Sequence, residues 1–227
     1  MTRASQPPRS AALDLRAPCA PDAAAPVALG AGTVLLRSWA RAFEYELWAA
    51  LQESLARSPF RFMTTPGGYR MSVAMSNCGA LGWVSGRSGY RYSARDPLSG
   101  RPWPPMPPVF RELAVQAAQG AGFAAFAPDA CLINRYVPGA RLSLHQDKDE
   151  KDLSSPIVSV SLGLPAMFLL GGSARLERPQ RVPLLHGDVL VFGGPGRLRF
   201  HGVRALEAGE HFLMGGCRVN LSFRKAA

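Results

Sequence analysis

The sequence predicts an α+β, mainly β fold: a two-sheet jelly roll with N-terminal helices packed on one of the sheets. Three observations carry this. From about residue 130 to 227 the chain is a series of short apolar or alternating segments, 131–137, 142–147, 156–163, 166–170, 182–185, 188–192, 198–203 and 217–223, punctuated by Gly and Pro. Many short strands of even length with turns between them suit two sheets packed face to face. Helical periodicities precede them, and 227 residues with 47% apolar content fit one domain with an ample core.

The first 28 residues are rich in Ala and Pro, carry Arg3, Arg9 and Arg16, and show neither helical nor strand periodicity. A disordered tail is expected there, with a single domain over 29–227. The tail lacks the continuous apolar segment of a secretory signal, and no later run is long and apolar enough to span a bilayer, so a cytoplasmic protein with no membrane partner is expected. Cys19, Cys78, Cys131 and Cys217 are far apart with no C-x-x-C spacing, which argues against a zinc ribbon or a redox pair. The last three are expected as buried reduced thiols.

Ser38 is placed to cap a helix running to about Arg57, in which Phe43, Leu47, Leu51 and Leu55 form an apolar stripe and Pro59 closes the segment. Pro107 suits the first turn of a second helix and Gly120 its end. Between the helices, 60–103 interleaves aromatics, glycines and arginines: Tyr69, Trp83, Tyr90, Tyr92, Arg87, Arg91 and Arg95. Short hairpins with mobile loops fit that composition.

The formal net charge is +10, and among 26 basic residues only Lys148, Lys151 and Lys225 are lysines. Such a balance favours polyanionic partners through counterion release, although an arginine-biased genome would produce the same excess. Aromatic planes beside arginines are what an unstacked base and its phosphates require; the same rings would also serve simply to seal a core.

The stretch from Asn134 to Asp149 reads N-R-Y-V-P-G-A-R-L-S-L-H-Q-D-K-D. Alternation along a strand would send His145 and Asp147 to one side. With His201 from a neighbouring strand the set becomes two histidines and a carboxylate, the facial triad that leaves positions open on a non-haem Fe(II) and so points to oxygen chemistry. An H-x-D pair by itself is more often a hydrogen-bonded structural pair. His186 lies in an H-G-D turn and is expected to be structural, and His211 lies in a loop-like stretch. His201 is followed by Gly202, which permits close backbone approach. The last strand alternates Arg218, Asn220, Ser222 and Arg224 with apolar residues. Guanidinium groups facing one way suit a small dicarboxylate; a solvated strand face is the alternative.

These residues sit among longer segments: S-P-F-R from Ser58, T-P-G-G-Y from Thr65, M-S-V-A-M from Met71, N-C-G from Asn77 and L-G-W from Leu81. D-A-C-L-I-N-R-Y from Asp129, P-G-A from Pro138, L-S-L-H-Q-D-K-D-E from Leu142, P-I-V-S-V-S-L-G-L-P-A from Pro156 and H-G-D from His186 continue the series. From about Gly30 to Ala227 the chain thereby resembles the AlkB family, Fe(II)- and 2-oxoglutarate-dependent dioxygenases that repair alkylated nucleic acid. It departs from the family in its N-terminal tail, in Phe192, where a bulkier aromatic is expected, and in scattered surface positions.

The resemblance implies a double-stranded β-helix with a nucleotide-recognition lid over about 60–103. It implies Fe(II) held by His145, Asp147 and His201, with 2-oxoglutarate and O2 as cosubstrates. Arg218 with Tyr136 would hold the distal carboxylate, and Arg224 with Asn134 and Asn220 the metal-proximal end. Trp83 would stack on the damaged base while Tyr90, Arg91 and Tyr92 follow the backbone; Asp149 would touch the exocyclic group of the base, and Arg175 would help line its pocket. The implied reaction is oxidative dealkylation of bases such as 1-methyladenine and 3-methylcytosine in single- or double-stranded DNA, with RNA as a second polymer, by a monomer. It would release an aldehyde, succinate and CO2. Two alternatives stay open at this stage. One is a dioxygenase of the same fold acting on a protein or small molecule; the other is a non-catalytic basic nucleic-acid-binding module with a structural metal.

Overall fold

The computed structural model describes residues 25–227. Most of the expected tail, with Arg3, Arg9, Arg16 and Cys19, therefore lies outside the described residues. At its end, Val27 and Ala28 form a short strand, β1, paired with Leu35 and Val34 of β2 (Thr33–Leu36).

α1 spans Glu44–Arg57 and α2 spans Pro108–Gly120. The first begins later than Ser38. Ser38 takes a left-handed φ of 55° and its backbone N–H donates to Asp188 Oδ1 at 2.9 Å, so it lies within the turn of residues 37–40 after β2 rather than capping a helix. A short 3-10 segment, Arg41–Phe43, then leads into α1, whose first turn carries Glu44 and Glu46 where the helix dipole favours negative charge.

Eight strands form the larger sheet in the order β1-β2-β12-β9-β14-β7-β4-β3, where β3 is Arg61–Thr64, β4 Arg70–Gly79, β7 Ala130–Tyr136, β9 Ile157–Gly163, β12 Val189–Phe192 and β14 Arg218–Arg224. The smaller sheet has the order β11-β10-β13-β8, with β8 Leu142–His145, β10 Ala166–Leu170, β11 Gln180–Leu184 and β13 His201–Val203. β5 (Gly82–Gly86) and β6 (Gly89–Ser93) pair only with each other. Within 60–103, then, β3 and β4 extend the larger sheet through β7, and the detached hairpin is confined to 82–93.

Alternation along the central strands builds two cores, one on each face of the larger sheet. Cys131 and Ile133 of β7, Val158 and Val160 of β9, and Val219, Leu221 and Phe223 of β14 meet Leu47 and Leu51 of α1 and Phe110 and Leu113 of α2. Leu132 and Tyr136 of β7, together with Leu190 and Phe192, face Phe168, Leu170, Val182 and Leu184 of the smaller sheet. Burying a side chain of this size contributes about 1.5–3 kcal/mol, so the helices on one face and the second sheet on the other each hold the larger sheet in place. Cys78 and Cys131 are buried free thiols, and Cys217 is free and half-buried. No helix of the described residues is long and apolar enough to cross a membrane.

Candidate functional site

β8 and β13 are neighbours, and their register sets His201 directly opposite His145. That pairing places the two imidazole centroids 4.5 Å apart. It requires glycine at 202, where a Cβ would come within 2.7 Å of the Leu142 carbonyl oxygen. Beyond His145 the chain leaves the strand, and Asp147 turns back so that its Oδ1 is 3.7 Å from His145 Nε2 and its Oδ2 is 3.7 Å from His201 Nε2. One ligand atom from each of His145, Asp147 and His201 falls within a 4.8 Å group.

Each ring is oriented by its other nitrogen. His145 Nδ1 lies 2.9 Å from the Ser143 carbonyl and His201 Nδ1 lies 3.0 Å from the Arg199 carbonyl. A carbonyl only accepts, so both Nδ1 atoms carry hydrogen and both Nε2 lone pairs face Asp147. Burial, reinforced by the nearby His201, pushes the His145 pKa down and favours the neutral imidazole that a metal needs. Burial alone would raise the Asp147 pKa, but the Arg224 guanidinium and the two histidines outweigh it and hold the carboxyl well below its usual range. The result is two neutral imidazole donors and one carboxylate, a set that fits Fe(II) and leaves part of the coordination sphere to other ligands.

Beside this centre, the polar face of β14 points between the sheets rather than into solvent, and all seven of its residues are buried. Arg218 is opposite Tyr136 across the β14–β7 pair and Asn220 is opposite Asn134. Arg218, only 2% exposed, has its guanidinium carbon 5.4 Å from the Tyr136 ring centroid and donates through Nη2 to Ser161 Oγ at 2.9 Å. Its Nε and Nη1, and Oδ1 of Asn134, have no hydrogen-bond partner among the described residues. Burial lowers the Arg218 pKa and raises that of Tyr136 to about 12. No carboxylate of the described residues lies in ion-pair range of Arg218. A buried cation with spare donors and no counter-charge calls for an anion, which a dicarboxylate would supply.

Asn220 shares this face, but its Nδ2 donates to Ser159 Oγ at 2.8 Å and to the Val160 carbonyl at 3.0 Å, while its Oδ1 accepts from Ser222 Oγ. Its carboxamide is thus committed within the sheet. Arg224 donates through Nη2 to Asp147 Oδ2 at 2.6 Å. Its Nε is 3.3 Å from Glu150 Oε1, close enough for charge attraction but without hydrogen-bonding geometry.

The hairpin closes over the segment after β8. Trp83 Nε1–H donates to Asp149 Oδ2 at 2.8 Å, and the indole stacks on Tyr90 with centroids 5.4 Å apart. Tyr92 donates its hydroxyl to Glu150 Oε1 at 2.6 Å. Arg91 points outward, bonded to Ser88 Oγ, and Arg175 sits on the loop after β10 with its guanidinium over Phe200. His186 lies elsewhere: its Nδ1 accepts the Gly163 N–H and its Nε2 is 2.9 Å from Glu44 Oε2, a structural role as expected.

The sequence drew no attention to Arg197 or Glu150. Arg197 is 3% exposed and donates to the Asp147 carbonyl at 2.6 Å, to Glu150 Oε2 at 3.0 Å and to the Ser155 carbonyl at 3.0 Å. It staples the Asp147 segment to the chain leading into His201. Glu150 hides in the charged run D-K-D-E-K-D, which has the composition of a solvated loop; only its position beside the ligand segment could have marked it.

The model of the 2OG-Fe(II) oxygenase superfamily matches residues 32–224. The chain is 56% identical over 199 residues to the alpha-ketoglutarate-dependent dioxygenase AlkB of Salmonella typhimurium, covering 88% of this chain and 92% of that protein. It is likewise 56% identical over 198 residues to its counterpart in Escherichia coli, covering 87% and 92%. A solved structure of OsALKBH1 superposes with a TM-score of 0.78 at 31% identity, covering 88% of this chain and 99% of that one.

Proposed function

The chain belongs to the 2OG-Fe(II) oxygenase superfamily, and from that membership we infer that it oxidatively dealkylates N-alkylated bases of nucleic acid as a Fe(II)- and 2-oxoglutarate-dependent dioxygenase. The observation that carries this reading is the convergence of three features on one end of the jelly roll. They are a two-histidine, one-carboxylate group, the uncompensated buried Arg218 beside it, and an aromatic hairpin hydrogen-bonded to a carboxylate two residues beyond Asp147.

His145, Asp147 and His201 would hold the iron through two Nε2 atoms and a carboxylate oxygen. Bound there with 2-oxoglutarate, iron supplies the activation of O2 for oxidation of an N-alkyl group, yielding succinate, CO2 and an aldehyde. The chain's own residues do the rest. Arg218, with Tyr136, binds the distal carboxylate of the cosubstrate, and Arg224, tethered to Asp147, carries positive charge to its metal-proximal end with Asn134 alongside. Asn220 supports that face by holding β9 in register with β14. Trp83 offers a plane for stacking, and Asp149 accepts from an N–H donor: the indole occupies it here, and the exocyclic amine of 1-methyladenine or 3-methylcytosine would take it over. Tyr90, Arg91 and Tyr92 line the approach of the strand, and Arg175 closes the opposite side. Asp149 also carries the negative charge that would attract such positively charged alkylated bases.

The proposed substrate is alkylated DNA, single- or double-stranded, with RNA as a second polymer. The protein would act as a monomer in the cytoplasm, whose reducing conditions suit the free thiols Cys78, Cys131 and Cys217. The deciding experiment is aldehyde release from an oligonucleotide carrying one 1-methyladenine, with and without Fe(II) and 2-oxoglutarate. Release that requires both supports the assignment. Consumption of 2-oxoglutarate with the oligonucleotide untouched would overturn the substrate class.

A further inference from the structure

The loop of residues 171–179, between β10 and β11, carries an apolar side chain that nothing in the fold explains. Leu176 is 99% exposed, more than any other large apolar side chain among the described residues. It stands between the exposed Arg175 and Arg178. Isolated surface leucines are common and need no function. Two further features set this one apart.

The first is the construction of the loop. Glu177 folds back over its own loop: its Oε1 accepts the Ala174 N–H at 2.7 Å, and its own N–H donates to the Ala174 carbonyl at 3.2 Å. The Glu177 carboxylate fills the space a side chain would need at Gly172, where a Cβ would overlap Oε2. The stem is fastened by Gly171 N–H to the Phe200 carbonyl at 2.6 Å and by Phe200 N–H to the Gly172 carbonyl at 2.9 Å. The loop is therefore braced to hold its tip outward.

The second feature is where that tip stands. In the smaller sheet Leu170 is opposite His201, and His201 is opposite His145, so β10 and β8 both leave the sheet at the level of the metal ligands. The Leu176 loop rises from the β10 side of His201, and the segment bearing Asp149, against which Trp83 rests, rises from the β8 side. Arg175, whose guanidinium is 5.8 Å from the ring centroid of Phe200, ties the loop to the residue immediately before His201.

We propose that Leu176 is a duplex wedge: an apolar tip, carried between two exposed arginines, that enters the base stack and fills the gap left when the alkylated nucleotide is turned out toward Trp83 and Asp149. The proposal rests on the nucleic-acid reading above. Extruding a base from a duplex breaks stacking on both of its neighbours, and apolar side chains inserted at such steps offset that loss. Of the flanking arginines, Arg175 is turned onto Phe200, and the exposed Arg178 is left to meet the backbone without reading sequence. A single-stranded substrate has no intact stack to fill, so the wedge matters only for a duplex.

The test compares the full chain with Leu176→Ala and Leu176→Phe, loaded with Fe(II) and 2-oxoglutarate, on one oligonucleotide bearing 1-methyladenine, presented alone or annealed to its complement. Loss of a fully exposed side chain leaves the fold intact. Leu176→Ala is expected to lower the duplex rate by about tenfold or more and to leave the single-strand rate within about twofold, whereas Leu176→Phe retains duplex activity. A second readout needs no turnover. A 2-aminopurine beside the lesion in the duplex brightens as its stack opens on binding the unmodified chain, and brightens less with Leu176→Ala. Equal duplex rates for Leu176→Ala and the unmodified chain overturn the wedge and leave Leu176 to some other contact, such as a protein partner; equal losses on both substrates also overturn it. If the unmodified chain releases no aldehyde even from the single strand, the nucleic-acid reading itself has failed.

Discussion

Arg224 and Asp147 are joined by a 2.6 Å hydrogen bond in which the last residue of β14 steadies the carboxylate between the two histidines. The larger sheet thereby governs a ligand that follows a strand of the smaller one, and each partner's charge is satisfied by the other before any metal arrives.

Replacing His145 by Ala is expected to abolish turnover and to eliminate detectable binding of Co(II) as a spectroscopic stand-in for Fe(II). Oligonucleotide affinity, measured by fluorescence anisotropy, should stay close to that of the unmodified chain. Full turnover in the variant would remove the metal site.

Arg218→Lys keeps the charge but gives up the planar fork and the buried Nε donor. Hydrogen bonds to charged groups contribute about 1.5–3 kcal/mol, so the 2-oxoglutarate concentration for half-maximal activity should rise by at least tenfold. The thermal shift produced by 2-oxoglutarate should shrink in parallel. An unchanged requirement would mean that the cosubstrate lies elsewhere.

Trp83→Ala should weaken binding of a single-stranded oligonucleotide by about 1–3 kcal/mol through loss of the stacking plane. Trp83→Phe keeps a plane and loses the bond to Asp149, so it should recover most of the affinity. Equal behaviour of the two variants would show that stacking is not what Trp83 provides.

Glu150→Ala would strand Arg197 with one donor unpaired in a buried site and release Tyr92 from its acceptor. Breaking a buried ion pair from one side costs about 3–5 kcal/mol, which urea denaturation of the metal-free protein would read as a lower midpoint. An unaltered midpoint would mean that the Asp147 segment is held by other contacts.

The strand alternation in the C-terminal half was legible where the two faces of a strand meet different surroundings, as in β14, whose apolar positions pack on the helices while its polar positions line the space between the sheets. The same alternation left the fate of the Arg218 face open, since the pattern separates two faces without saying which is wet. The helix start was misplaced because Ser38 has the residue type of a cap but is held instead by Asp188, 150 positions away. The short hairpins expected within 60–103 correspond to β3–β4 and β5–β6, but no local signal says that the first of them joins the larger sheet, which it does through the pairing of β4 with β7. The ligand triad was visible as residue types, whereas Arg197 and Glu150 were not. A buried ion pair between distant segments leaves no periodic trace, and both residues have the composition of surface loops.

β14 also restricts how this chain can change over time. Its odd and even positions answer to different neighbours: Val219, Leu221 and Phe223 to the helices, Arg218 and Arg224 to the space between the sheets. Point substitutions at either set can be tried one at a time. Inserting or deleting a single residue anywhere between 218 and 224 would exchange the two sets beyond that point, driving a guanidinium group into the helix-packed core and apolar side chains toward the space between the sheets. Variation in β14 should therefore proceed by replacement at fixed length, while gains and losses of residues accumulate in the loops that join the other strands.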